Sequence, residues 1–252
     1  FQQFKKLAEI AKKKNLIFFS TPLDLVSAAN LNKIQNVFKI ASSDNNFFEL
    51  IDLVSSYGKD LIVSTGYADL KLVKQIQKRV FNIWRKKKIK SNLAFLHCVS
   101  SYPTNFDESN IFTIKTLKQK IKKSIIGYSD HTKGIEACLL SVAMGSRIIE
   151  KHFTLDKNFS SFRDHNLSAD PLEMTELVKK IRSLEKMINN PLKLPQISEM
   201  KSYKFNRRSC AVSKNLKKGD ILRKEDIIGV RPLDGISITK KKKIINKKLK
   251  VN

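Results

Sequence analysis

The residues best placed to do chemistry are His131 and His152. They lie 21 residues apart, and each comes just past the end of an expected strand, the first opening with the apolar run of residues 124–128 and the second beginning over residues 147–149. Between them Ile135, Cys138, Leu139, Val142 and Ala143 recur at helical spacing until Gly145 closes the helix. This pattern predicts one βαβ unit. Parallel neighbouring strands bring their carboxyl ends side by side. Two imidazoles converging there, with Asp130 and Glu150 next to them, suit a divalent metal that keeps open positions for substrate. A single histidine at a strand end is more often a satisfied polar residue, but two in equivalent places on consecutive βα units are harder to explain that way.

Other strand–helix units precede this one. Strands are expected to start near residues 16, 37, 61, 93, 124 and 148, with amphipathic helices between them over residues 4–14, 25–35, 47–57, 69–88, 113–122 and 134–144. Each expected strand ends in small polar or ionisable residues, for example Ser42-Ser43-Asp44, Ser64-Thr65-Gly66 and His97-Cys98-Val99-Ser100. Regular units of this size form a parallel sheet, either doubly wound or a (β/α)8 TIM barrel. Open sheets gather a site at one switch point, whereas barrels collect it from many strand ends, so six polar ends favour the barrel. The pattern fades after a helix over residues 171–188. Residues 1–188 are therefore expected to be a barrel domain, 189–204 a linker carrying Pro191 and Pro195, and 205–252 a small, mostly β module.

Composition narrows the class. The hydrophobic fraction of 41% is that of a soluble globular chain, and no apolar run approaches the roughly 20 residues of a membrane span. There is no signal-peptide pattern, and the three cysteines (Cys98, Cys138, Cys210) are far apart, as expected of reduced thiols in a cytoplasmic protein. The net charge of +26 invites a nucleic-acid reading, but only nine of the 49 basic residues are Arg, and the lysines are spread along helices. Dispersed, arginine-poor charge is a solvated surface, so no specific nucleic-acid partner and no membrane partner are expected.

The strand-end motifs resemble the sialic acid synthase family, which makes N-acetylneuraminic, legionaminic and pseudaminic acids. The matching runs are FFSTP (18–22), FKIASSD (38–44), GKDLIVSTG (58–66), LHCVSSYPT (96–104), IGYSDHTKGIEA (126–137), IIEKHFTLDK (148–157) and RDHNLSADP (163–171). RRSCAVSKNLKKGD (207–220) and VRPLDGIS (230–237) look like the antifreeze-like (SAF) domain that follows the barrel in that family. The resemblance implies a metal-assisted condensation of phosphoenolpyruvate with an N-acetylated sugar aldehyde, giving a nine-carbon 2-keto sugar acid and phosphate. It implies Mn2+ or Mg2+ on His131 and His152, with Asp44 and Glu150 joining them as catalytic residues. It further implies Thr21, Lys39, Ser42, Ser64 and Ser129 around the phosphate and carboxylate, and Ser100, Tyr102 and Asp164 toward the sugar. Arg231 matches an arginine that a partner subunit places over the barrel mouth in a domain-swapped homodimer.

Leu233 stands where a glycine usually follows Arg-Pro, and Ser100 where some members have Asn. Such departures leave the sugar open. The chain begins at Phe1, inside an expected helix, so the first two βα units are expected to be absent and the SAF module incomplete. A piece of that kind is expected to fold poorly and to be inactive alone. Two rival readings remain. One is another phosphoenolpyruvate- or pyruvate-using TIM-barrel aldolase, with Lys39 as a Schiff-base lysine. The other is a basic binding protein without catalysis.

Overall fold

The computed structural model describes residues 1–161, 163–188 and 190–250. The chain divides into two compact units, Phe1–Asn190 and Pro191–Asn252.

The first unit is an α/β fold built on five parallel strands in sequential order: β1 (Val37–Ile40), β2 (Asp60–Ser64), β3 (Leu93–Cys98), β4 (Ile125–Asp130) and β5 (Ile149–Lys151). The helices of this unit are α1 (Gln2–Lys13), α2 (Leu25–Leu31), α3 (Phe48–Ser56), α4 (Leu70–Lys87), α5 (Thr113–Lys120), α6 (Glu136–Met144), α7 (Arg163–Leu167) and α8 (Pro171–Met187). A curled parallel sheet with a helix after each strand resembles part of a TIM barrel. Every residue of β3 is buried, as expected of a central parallel strand covered on both faces. Phe38, Ile40, Leu61, Val63, Phe95 and Tyr128 carry the core from strand to strand.

Local signals account for the helices. Asp69 caps α4 by accepting from Leu72 N, and Val73, Ile76, Val80 and Trp84 form its buried stripe. Trp84 Nε1 donates to Ser55 O at the end of α3, so the burial of the indole leaves no polar atom unpaired. Asp170 caps α8 with Pro171 at its first position, and Gly145, at φ +104°, ends α6. That stop delivers the chain into β5.

The structure departs from the sequence reading at three places. Residues 16–19 form no strand. Leu16 and Ile17 are exposed, and the next backbone groups, Ser20 N and O, are held by the side-chain amide of Gln35 rather than by a ladder. Helix α1 is amphipathic as expected but buries none of its residues. The expected linker contains a helix, α9 (Ile197–Asn206), in which the Glu199 carboxylate accepts from Gln196 N.

In the second unit β6 (Ser209–Val212) and β7 (Ile227–Val230) pair antiparallel. Asp226, nearly inaccessible, accepts from Lys214 Nζ and Arg223 N. These contacts, with the Lys214 hydrogen bond the largest cause, hold its carboxyl below the usual carboxylate range. The lysine-rich tail is also placed: Leu222 N donates to Lys247 O, and Leu249 N to Asp220 O.

Candidate active site at the carboxyl edge of the sheet

All five strands deliver side chains to one cavity of about 400 Å3 at their carboxyl ends. Lys39 comes from β1 and Ser42 from the turn after it; Ser64 ends β2, Cys98 ends β3, Ser129 lies on β4, and Glu150 on β5. Thr21, Tyr102, His131, Lys151 and His152 complete most of the wall. Nine of the residues proposed from the sequence thus meet around one space: Thr21, Lys39, Ser42, Ser64, Tyr102, Ser129, His131, Glu150 and His152. Asp44, Ser100 and Asp164 are not part of the lining. Asp44 accepts from Ser43 Oγ. Ser100 Oγ and Asp164 Oδ1 are buried acceptors without a hydrogen-bond partner, and the Asp164 charge acts on both His152 and Tyr102. Arg231 belongs to the second unit, where its Nε donates to Asn206 O.

The two imidazoles converge as the βαβ unit requires. Their ring centroids are 5.3 Å apart, with the planes at 66°. His131 Nδ1 lies 2.7 Å from Val99 O. A carbonyl can only accept, so Nδ1 carries a proton, which makes Nε2 the lone-pair nitrogen whenever the ring is neutral. Second-partner contacts of this kind orient metal-binding histidines. Tyr102 stacks on His131 at 4.1 Å and meets His152 edge-on at 5.7 Å. Its loop is pinned at the same point, because Thr104 N donates to His131 O.

Electrostatics separates the two rings. Burial lowers the His131 pKa, but the Cys98 thiol and the Val99 carbonyl outweigh it and hold the ring above the ordinary histidine value. Burial and the neighbouring His131 push His152 below it. Cys98 is pushed up by burial but ends lower than a free thiol, because His131 and Ser42 stabilise the thiolate. In the same cavity, Lys39 Nζ lies 3.3 Å from Glu150 Oε2, and Ser129 Oγ donates to Glu150 Oε1 at 2.7 Å. Ser64 Oγ is buried with no partner. An ammonium group and several short hydroxyls converging on one space make an anion cradle.

Among the described residues no group of three or more His, Cys, Asp or Glu is arranged to hold a metal. The pair of converged imidazoles, His131 and His152, is the nitrogen donor set at this cavity. A bare Nε2 fixed by its partner nitrogen fits that role. His97 and His165 serve other ends. His97 Nε2 donates to Ser109 O and burial lowers its pKa, while His165 Nδ1 pairs with Thr154 Oγ1.

Sequence reading singles out neither Gly66 nor the pair Asp130 and Lys151. A Cβ on Gly66 would lie 2.8 Å from Ser42 Cβ and closer still to Ser100 Oγ, and Gly66 N donates to Ser42 Oγ. The glycine lets hydroxyl residues from the two flanking strand ends, those of β1 and β3, approach the backbone at the end of β2. Gly66→Ala is expected to displace Ser42 and raise the KM for the anionic substrate about tenfold, ~1.4 kcal/mol. An unchanged KM in steady-state kinetics would remove Gly66 from the site.

The family follows from comparison with known proteins. The NeuB family matches residues 1–193, and the chain belongs to it. An uncharacterized protein of Methanocaldococcus jannaschii, MJ1065, is 43% identical over 255 residues, covering 99% of this chain and 72% of that protein. The N,N'-diacetyllegionaminic acid synthase of Campylobacter jejuni is 37% identical, covering 96% of this chain and 72% of its own length. The crystal structure of the N-acetylneuraminic acid (sialic acid) synthetase of Leptospira borgpetersenii, in complex with citrate, superposes with a TM-score of 0.73 at 39% identity. That match covers 80% of this chain and 68% of the other.

Proposed function

We propose that this chain carries the catalytic unit of a synthase that condenses phosphoenolpyruvate with an open-chain N-acetylated sugar aldehyde. The acceptor is N-acetylmannosamine or a related 2,4-diacetamido sugar. The observation that carries the reading is the anion cradle of Lys39, Ser42, Ser64 and Ser129 lining the same cavity as two converged imidazoles. Membership of a family whose characterised relatives include sialic and legionaminic acid synthases supports it.

In this mechanism the Lys39 ammonium and the strand-end hydroxyls bind the phosphate and carboxylate and fix the enol methylene toward the aldehyde. His131 and His152 would hold Mn2+ or Mg2+, which would supply Lewis-acid polarisation of the aldehyde oxygen. The new C–C bond forms between the enol methylene and the aldehyde carbon. Water then adds to the carbon that carries the phosphate oxygen, Glu150 passes one of its protons to the former aldehyde oxygen, and the C–O bond to phosphate breaks as the second proton leaves with the phosphate, which forms the keto group. Tyr102 covers one face of His131 and excludes water from it. Asp164, with a buried oxygen lacking a donor, accepts from a sugar hydroxyl or amide. Asp44 and Ser100, which lie outside the cavity lining, would act on this space only through the residues that line it. Arg231 completes the mouth from a second copy in a domain-swapped homodimer, with the second unit as an SAF domain. The setting is the cytoplasm, and no helix among the described residues is long and apolar enough to cross a membrane.

The test is phosphate release from phosphoenolpyruvate by the whole gene product, against a panel of N-acetylated hexoses, with Mn2+ and then with excess chelator. Release that depends on one sugar and stops with chelator is the expected result. Borohydride-trapped pyruvate on Lys39, with chelator-insensitive turnover, would overturn the reading in favour of an imine-forming aldolase.

A further inference from the structure

The best-satisfied carboxylate near the site belongs to a residue with no part in the mechanism above. Asp130 is fully inaccessible and Lys151 almost so, and their charged atoms are 2.8 Å apart. Asp130 Oδ1 accepts from Tyr128 OH and from Thr132 N, and Oδ2 accepts from Lys151 Nζ and from the Cys138 thiol on α6. Burial, followed by the Asp130 charge, pushes both the Tyr128 hydroxyl and the Cys138 thiol well up, so both remain protonated donors. Lys151 Nζ also donates to Thr132 O. The lysine therefore grips the residues on either side of His131, from the position immediately before His152.

Strand geometry gives this grip its meaning. Asp130 and Lys151 are register partners in the β4–β5 ladder, one step beyond Ser129 and Glu150. Side chains alternate between faces along a strand. Ser129 and Glu150 face the cavity and Asp130 reaches α6 on the other face, which returns His131 and His152 to the cavity side. Asp130 and Lys151 are the last register pair of the ladder, so His131 and His152 lie just past it and are not themselves register partners. A buried ion pair contributes little stability over apolar residues of the same volume, and its best-attested use is to specify one arrangement.

We propose that the buried Asp130–Lys151 pair is a positioning device that sets the mutual placement of the His131 and His152 rings past the end of the ladder. Only the metal readout below rests on the function proposed above.

The test uses the whole protein and two variants. Lys151→Met breaks the pair and leaves one buried charge. Asp130→Asn combined with Lys151→Met removes both charges and keeps Oδ1 for Tyr128 and Thr132, so it carries the test if the single variant fails to fold. The four histidines are followed by ring-nitrogen NMR without metal, and Mn2+ affinity is followed by paramagnetic resonance titration. In the double variant the His131 and His152 signals are expected to move or broaden while His97 and His165 keep theirs. The Mn2+ affinity should fall about 10- to 100-fold, the usual effect of removing a partner behind the ligands. Wild-type ring signals for His131 and His152 in the double variant would overturn the proposal. If the wild type and His131→Ala bind Mn2+ equally weakly, the metal reading fails separately, and the ring signals still decide the positioning role.

Discussion

His152→Ala is expected to lower sugar-dependent phosphate release at least ~1,000-fold while leaving the thermal midpoint within about 2 °C of wild type. The two parts of this expectation come from the same geometry. The contacts that involve the His152 ring are with Tyr102 and His131, on the wall of an open cavity, so truncation to Ala removes little packing. A Lewis acid at a developing alkoxide contributes several kcal/mol, and each 1.36 kcal/mol is tenfold in rate. A cation held by two protein nitrogens has little left to hold it when one is removed. Added Mn2+ should recover part of the rate in His152→Ala, because His131 Nε2 stays oriented by Val99 O. His97→Ala makes the contrast, since that ring is buried against Ser109 and Tyr128 and should lose stability rather than rate. Activity within tenfold of wild type in His152→Ala would remove the metal from the mechanism.

The histidines were legible because the βαβ pattern fixes where they fall, whatever the details of packing. The apolar runs that became β1 to β5 were legible for a related reason: parallel strands buried on both faces read as continuous apolar segments. Residues 16–19 read the same way, yet they form no strand. Strand formation needs a partner ladder, and here the nearest backbone polar groups are met by the Gln35 side chain. The helix in the expected linker was hidden by Pro191 and Pro195, because its start is marked by Glu199 reaching back to Gln196 N rather than by a Ser, Thr or Asp cap. Gly66 and the Asp130–Lys151 pair act through space, which no spacing rule reports. The signal for the pair was nevertheless present: any register that sets His131 beside His152 also sets Asp130, an acid, beside Lys151, a base.

Lys151→Met alone is expected to destabilise the protein by ~3 kcal/mol, the lower end of the range for breaking a buried ion pair. The lower end applies because Asp130 keeps three donors, from Tyr128, Thr132 and Cys138, when the ammonium is gone. For a unit of this size that corresponds to a fall in thermal midpoint of about 6–12 °C. Adding Asp130→Asn should recover most of the loss, since the charge that lacked a partner is removed with it. A scanning calorimetry series of wild type, single and double variants measures both steps. Recovery in the double variant separates what the pair does for stability from what it does for geometry. If stability returns and the histidine rings do not, the ion pair is retained for placement. Should the single variant lose less than ~1 kcal/mol, Asp130 must already be satisfied without Lys151, and the lysine would have no hold on His131 beyond its bond to Thr132 O.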